Sequence, residues 1–169
     1  FGMFKKDEIV VNKKGQVCKI VDIVDNFDAG IGEKSYFILV PCFSSNSSIK
    51  FYVPCDRENL LRYAISKEKI DNLIQKIPTL KPIWFTNPKL RRTKFKEMYD
   101  NGDPLDIFQI IISFEDKKRE FAHEGKTLSF TDENFLKEAK RNIYNEFAIS
   151  LDINSDDVES YIQNKIENA

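Results

Sequence analysis

Residues 81–96 read KPIWFTNPKLRRTKFK, and the character of the chain changes across them. Ahead of them lie short β-branched runs separated by polar turns; behind them apolar residues recur at helical spacing. The stretch holds the single tryptophan, Trp84, beside Phe85 and between Pro82 and Pro88. Lys89, Arg91, Arg92, Lys94 and Lys96 follow with no acidic residue among them. Phosphates pair with Lys and Arg, and an aromatic ring can wedge or stack on bases, so this pattern suits a surface that grips a polyanion. It suits equally a tryptophan that plugs a joint between two modules, with the cations forming a solvated helix face.

Working backwards from the joint, Glu8–Val11 and Val17–Val24 have strand composition, and Asn12-Lys-Lys-Gly15 between them is hairpin-like. Asp28–Gly32 is a second turn before Ser35–Val40, where Pro41, lacking a donor, should end or edge the strand. Ser44–Ser48 is a third turn, before a strand over Ile49–Val53. Four or five short strands in residues 3–62 predict a small antiparallel barrel of the SH3-like or Tudor-like kind. Such modules present an edge or a groove rather than a reaction centre. The strand Ile49, Lys50, Phe51, Tyr52, Val53, with Lys50 and Tyr52 alternating with apolar neighbours, is the candidate edge for adding to a partner's sheet; a Tyr52 that merely packs the outer face is the plainer alternative.

Working forwards, residues 63–88 read as a connecting helix and a proline-punctuated joint, and residues 89–169 as an all-α bundle. Ser66 caps a helix whose stripe is Ile70, Leu73, Ile74 and Ile77, and Pro78 closes it. Thr93–Tyr99 reads as a short helix broken by Asn101-Gly102, and Asp103-Pro104 starts the next, running to about Phe114. Polar Glu115–Arg119 follows, and Gly125 is a stop. Thr131 is the expected cap of a helix burying Phe135, Leu136, Ala139, Ile143, Phe147 and Ala148. Asn154 or Ser155 opens the last one. The aromatic stripes at helical spacing read as core, not cofactor sites.

The composition excludes several classes. At 169 residues, with 41% hydrophobic residues and 14 Phe, the chain can fill one core or two small ones. The net charge of −1 masks cations in the middle and acids towards the C-terminus, so local clustering carries more information than the total. No apolar run reaches the roughly 20 residues of a membrane helix and no signal peptide is visible, so a cytoplasmic protein is expected, with Met3 as its natural start after a foreign Phe1-Gly2. Cys18, Cys42 and Cys55 lack CxxC spacing and read as reduced core or near-core thiols. With His123 as the single histidine, no metal site is expected. No convergent acid–base or nucleophile set is visible, and no cofactor is expected.

Specific motifs go further. Asn101-Gly102-Asp103 after a basic helix, Ala122-His-Glu-Gly-Lys126, Leu128-Ser129, Asp132 and Phe135-Leu136-Lys137 resemble the CarD family of bacterial transcription regulators. The run Glu146-Phe-Ala-Ile-Ser-Leu-Asp-Ile153, followed by Asp157-Val-Glu-Ser-Tyr-Ile162, is similar to that family's C-terminal signature. Met3-Phe4, Ile9–Val11, Val17–Ile20, Val53-Pro54 and Ala64–Glu68 extend the resemblance over nearly the whole chain. The spacer between Trp84 and Arg91-Arg92 resembles clostridial-type members, and Tyr52 stands where some members carry a basic residue.

The resemblance implies an N-terminal Tudor-like domain that binds the RNA polymerase β subunit and is shared with the transcription-repair coupling factor. It implies a helical domain at the upstream edge of the transcription bubble on promoter DNA, where a tryptophan wedge stabilises the open complex. Carried onto this sequence, the DNA contacts are Trp84, Lys89, Arg91, Arg92, Lys94 and Lys96, and the polymerase contacts are Ile49–Val53. A non-enzymatic, nucleoid-associated monomer with largely sequence-independent DNA contacts is the expectation. The alternative is a protein–protein adaptor without direct DNA contact, whose acidic C-terminal helices bind a second protein.

Overall fold

The computed structural model describes residues 3–46 and 48–169. The expected foreign Phe1-Gly2, and Ser47 within the expected third turn, lie outside the described residues. The chain divides into two compact units between Ala64 and Ile65. Residues 65–88, read from the sequence as part of a separate joint, fall within the second unit.

The first unit is a five-stranded antiparallel sheet: β1 (Ile9–Asn12), β2 (Val17–Asp28), β3 (Glu33–Pro41), β4 (Phe51–Pro54) and β5 (Leu61–Tyr63). Their order is β4-β3-β2-β1-β5, with β4 and β5 at the two edges, so the sheet is not closed upon itself. The turn from β1 to β2 is set by Asn12, whose Oδ1 accepts from the N–H groups of Lys14 and Gln16, and by Gly15 in the left-handed region at φ 83°. Period-2 alternation puts Val10, Cys18, Ile20, Phe37 and Leu39 on one face, where they form a core with Phe4 and Leu61. Breaks in register between Ile20 and Asp22 and between Val24 and Phe27 interrupt the long β2–β3 hairpin. Of the four or five strands expected, four were located in the sequence, and the fifth falls where none was placed. After Pro54 the chain makes a 3-10 helix over Cys55–Leu60, and only then pairs Leu61–Tyr63 with β1.

The second unit holds α1 (Lys67–Ile74), α2 (Pro88–Asn101), α3 (Pro104–His123), α4 (Phe130–Leu151) and α5 (Val158–Glu167). Its core joins Ile70 and Ile74 of α1, Phe95 of α2, Phe108, Ile110, Ile111 and Phe114 of α3, Leu136, Ile143 and Phe147 of α4, and Val158 and Ile162 of α5. Ser66 and Asp103 cap α1 and α3 as the sequence predicts. Four boundaries differ from expectation. Helix α2 begins at Pro88 rather than Thr93, because the Asn87 side chain accepts from Leu90 N–H and proline is pre-set for the first turn. Helix α3 continues through Glu115–Arg119 to His123. Most of those residues are good helix formers, and they pair one turn apart, Lys117 with Glu120 at 2.9 Å and Arg119 with Asp116 at 3.5 Å. Ser129, not Thr131, caps α4 by accepting from Asp132 N–H. Helix α1 stops at Ile74, before Pro78, which lies in a 3-10 turn over Ile77–Thr79.

Candidate nucleic-acid interface

The segment that carries Trp84 is pinned at both ends by hydrogen bonds to its own unit. The buried Ser113 hydroxyl, on α3, accepts from Ile83 N–H at 2.9 Å while donating to Gln109 O. Gln109 Nε2 donates to Lys81 O at 3.1 Å. On the other side of the indole, Arg91 Nη1 donates to Phe85 O at 2.7 Å and to Thr86 O at 3.3 Å. An irregular, proline-flanked stretch is thereby held in place through Ile83 N–H and the carbonyls of Lys81, Phe85 and Thr86.

Trp84 itself is half-buried. Its ring meets Phe95, Phe114 and Phe121 edge-on, with centroids 6.3, 5.6 and 6.4 Å away. The Arg91 guanidinium lies over it at 4.4 Å and Lys117 Nζ at 5.2 Å. Two cations held against one indole place positive charge on a partly exposed aromatic surface. Lys117 was not foreseen as part of this arrangement, because its polar neighbours read as the end of a helix.

Arg91 requires a correction. The sequence placed it among the phosphate-binding cations, but its side chain is 9% exposed and its Nε and Nη2 donate to Asp132 Oδ2 at 3.1 and 2.8 Å. Asp132, 4% exposed, comes from the first turn of α4. A charge taken out of water needs a partner and filled donors, and Arg91 has both inside the protein. Its part is to hold the Trp84 segment, not to meet solvent. Lys94 stands apart from the other exposed cations of α2. At about 100° per residue, Lys89, Arg92 and Lys96 share an arc of roughly 60° on α2, while Lys94 points roughly 140° away from Lys89. All four are exposed; Lys96 pairs with Asp100 at 2.6 Å and Lys94 approaches Glu97 at 4.0 Å. The structure thus gathers Lys89, Arg92 and Lys96 into one stripe and leaves Lys94 and Arg91 out of it.

In the first unit, β4 spans Phe51–Pro54, with Ile49 and Lys50 just ahead of it. It is an edge strand, hydrogen-bonded within the sheet to β3 alone. Phe51 and Val53 pack on the sheet's core, while Lys50 and Tyr52 are exposed. The Tyr52 ring stacks on Phe27 at 5.3 Å with 14° between planes, and both stand near Tyr36. A recess of about 380 Å³ along this edge is lined by Lys13, Lys14, Lys50, Phe51, Tyr52 and Val53, among others.

No protein-family model and no curated protein matches this chain.

The three cysteines differ in burial. Cys18 is buried and its thiol is pushed up to about 12, first by burial and then by Cys42 nearby. Cys42, expected in or near the core, is exposed, because the turn after β3 carries it past the end of the sheet. Among the described residues no group of His, Cys, Asp and Glu could hold a metal ion, and no helix is long and apolar enough to cross a membrane.

Proposed function

We propose that this protein is a non-enzymatic regulator of bacterial transcription of the CarD type, joining RNA polymerase to promoter DNA at the upstream edge of the bubble. The observation that carries the reading is the pinned, half-exposed Trp84, charged on its ring by Arg91 and Lys117, in the same unit as the exposed stripe Lys89, Arg92 and Lys96. The stripe takes backbone phosphates of either strand, which gives affinity without sequence readout. The indole, unable to swing freely, meets the distorted minor groove with its exposed edge. Contact that favours separated over paired strands shifts opening only by its differential affinity, and about 1.4 kcal/mol of preference is a tenfold change.

The first unit is the polymerase anchor in this reading, a Tudor-like module whose open β4 edge accepts a strand of the β subunit. Tyr52 on β4 and the lysines beside it would make the side-chain contacts. The protein would act in the cytoplasm, on the nucleoid through polymerase, as a monomer.

The test is a titration of the full chain with a forked promoter fragment over a range of salt, read by Trp84 fluorescence and by anisotropy of labelled DNA. Lys89→Ala and Arg92→Ala should each weaken binding and lower the salt slope by about one. Lys94→Ala should leave the slope unchanged. Unaltered fluorescence and no binding at low salt would remove DNA from the reading and leave the adaptor alternative.

A further inference from the structure

Phe130, the first residue of α4, is 82% exposed, the most exposed of the large hydrophobic side chains described. An isolated exposed apolar side chain needs no explanation, but this one borders a recess of about 580 Å³. Leu128 is buried in that recess, Ala122 and Thr127 line it, and Lys118, Lys126 and Glu133 complete the wall. The ring is held out by a rigid base. Ser129 caps the helix, and Asp132, two residues after Phe130, is locked to Arg91. The same contacts tie the recess to the Trp84 arrangement, since Arg91 lies over the indole and Lys117, next to Lys118 on α3, lies over it too.

We infer that Phe130 is a second aromatic platform, on which one unpaired nucleobase stacks in the recess while Lys118 and Lys126 take its flanking phosphates. This rests on the DNA-binding reading above and adds a site to it. Both lysines face acidic partners at 3.3 Å, Lys118 with Glu133 and Lys126 with Glu124. The Lys126 pair is solvent-exposed and the Lys118 pair partly so; pairs open to water contribute little, so a phosphate can replace the carboxylate at small cost. An apolar floor, a planar ring and two ammonium groups at the rim complement a base with its anionic backbone. An apolar protein side chain would need no cations there. Stacking on an aromatic ring is tolerant of base identity, which matches a protein with little sequence preference.

The experiment compares a forked fragment carrying 2-aminopurine at its first unpaired position with a full duplex of equal length, using the full chain and Phe130→Ala, Phe130→Trp and Lys118→Ala/Lys126→Ala. The expected result is that Phe130→Ala lowers the ratio of fork to duplex affinity about tenfold and abolishes the 2-aminopurine quench, that Phe130→Trp retains both, and that the lysine variant loses fork affinity at low salt. An unchanged thermal midpoint for Phe130→Ala would show that the fold is intact. If the wild type binds both fragments and Phe130→Ala preserves the ratio, the platform is refuted while the DNA reading stands. If Phe130→Ala preserves the ratio but loses capture of polymerase, the recess belongs to a protein partner and the inference is again overturned. A wild type that binds neither fragment overturns both.

Discussion

Asp132→Ala is the perturbation that most directly tests how the Trp84 segment is held. It removes the acceptor of two Arg91 donors at 2.8 and 3.1 Å and leaves a guanidinium that is 9% exposed, still bonded to Phe85 O and Thr86 O through Nη1. Breaking a buried pair by deleting one partner costs about 3–5 kcal/mol, because the remaining charge is uncompensated. If the guanidinium swings out to water instead, the cost is the contact over Trp84, about 0.5–2 kcal/mol, plus an acid lost from the first turn of α4, about 0.3–1 kcal/mol. The larger figure should prevail, since two carbonyls anchor the arginine from the other side.

Urea unfolding followed by Trp84 fluorescence reads this unit specifically, because the chain has one tryptophan. With a slope near 2 kcal/mol per molar, the midpoint should fall by roughly 2 M. Asp132→Asn, which keeps an acceptor, should lose less, and Arg91→Met/Asp132→Leu should recover much of the loss, since matched apolar replacements of buried pairs are often neutral. Should Arg91→Ala and Asp132→Ala both stay within about 0.5 kcal/mol of wild type, the range of unremarkable surface changes, the pair does not hold the segment. Should Arg91→Ala instead lower the salt slope of DNA binding by about one, Arg91 is a phosphate ligand after all.

Three further outcomes follow from single side chains. The Tyr161 phenol donates to Asp71 Oδ1 at 2.7 Å and is pushed up to about 12 by desolvation, then by the bond to Asp71 and its charge. An unfolded tyrosine titrates near 10, so the fold keeps this proton longer. The contribution is therefore whole below pH ~10 and is lost as pH rises from there through about 12. Urea melts at pH 8 and 11 should show a smaller alkaline loss in Tyr161→Phe than in wild type; an equal loss refutes the assignment. Thiol-labelling kinetics should modify exposed Cys42 first, half-buried Cys55 more slowly and Cys18 only on unfolding; Cys18 reacting in the native state would show that the sheet's core opens. The Tyr36 hydroxyl is buried with no hydrogen-bond partner among the described residues, so Tyr36→Phe should be neutral or stabilising by about 1 kcal/mol in the same melts, whereas a loss above 1 kcal/mol would reveal an unseen partner.

Much of the architecture was legible because it is encoded locally. Asn12-Lys-Lys-Gly15 makes its turn from its own side chain and one left-handed glycine, and Ser66 and Asp103-Pro104 cap helices within three residues of themselves. The apolar spacing of Leu136, Ala139, Ile143 and Phe147 states which side of α4 is buried, whatever it packs against. What could not be read depends on residues far apart in the chain. The pairing of Leu61–Tyr63 with β1 joins segments about fifty residues apart, and its three residues carry too little pattern to announce a strand. Arg91 and Arg92 are indistinguishable as neighbours in a basic run, yet one is buried and the other exposed, because Asp132, 41 positions on, lies within reach of only the first. Local hydrogen bonds and periodicity reside in adjacent residues; the fate of a charge is set by what the folded chain brings against it, and that is decided only when distant helices pack.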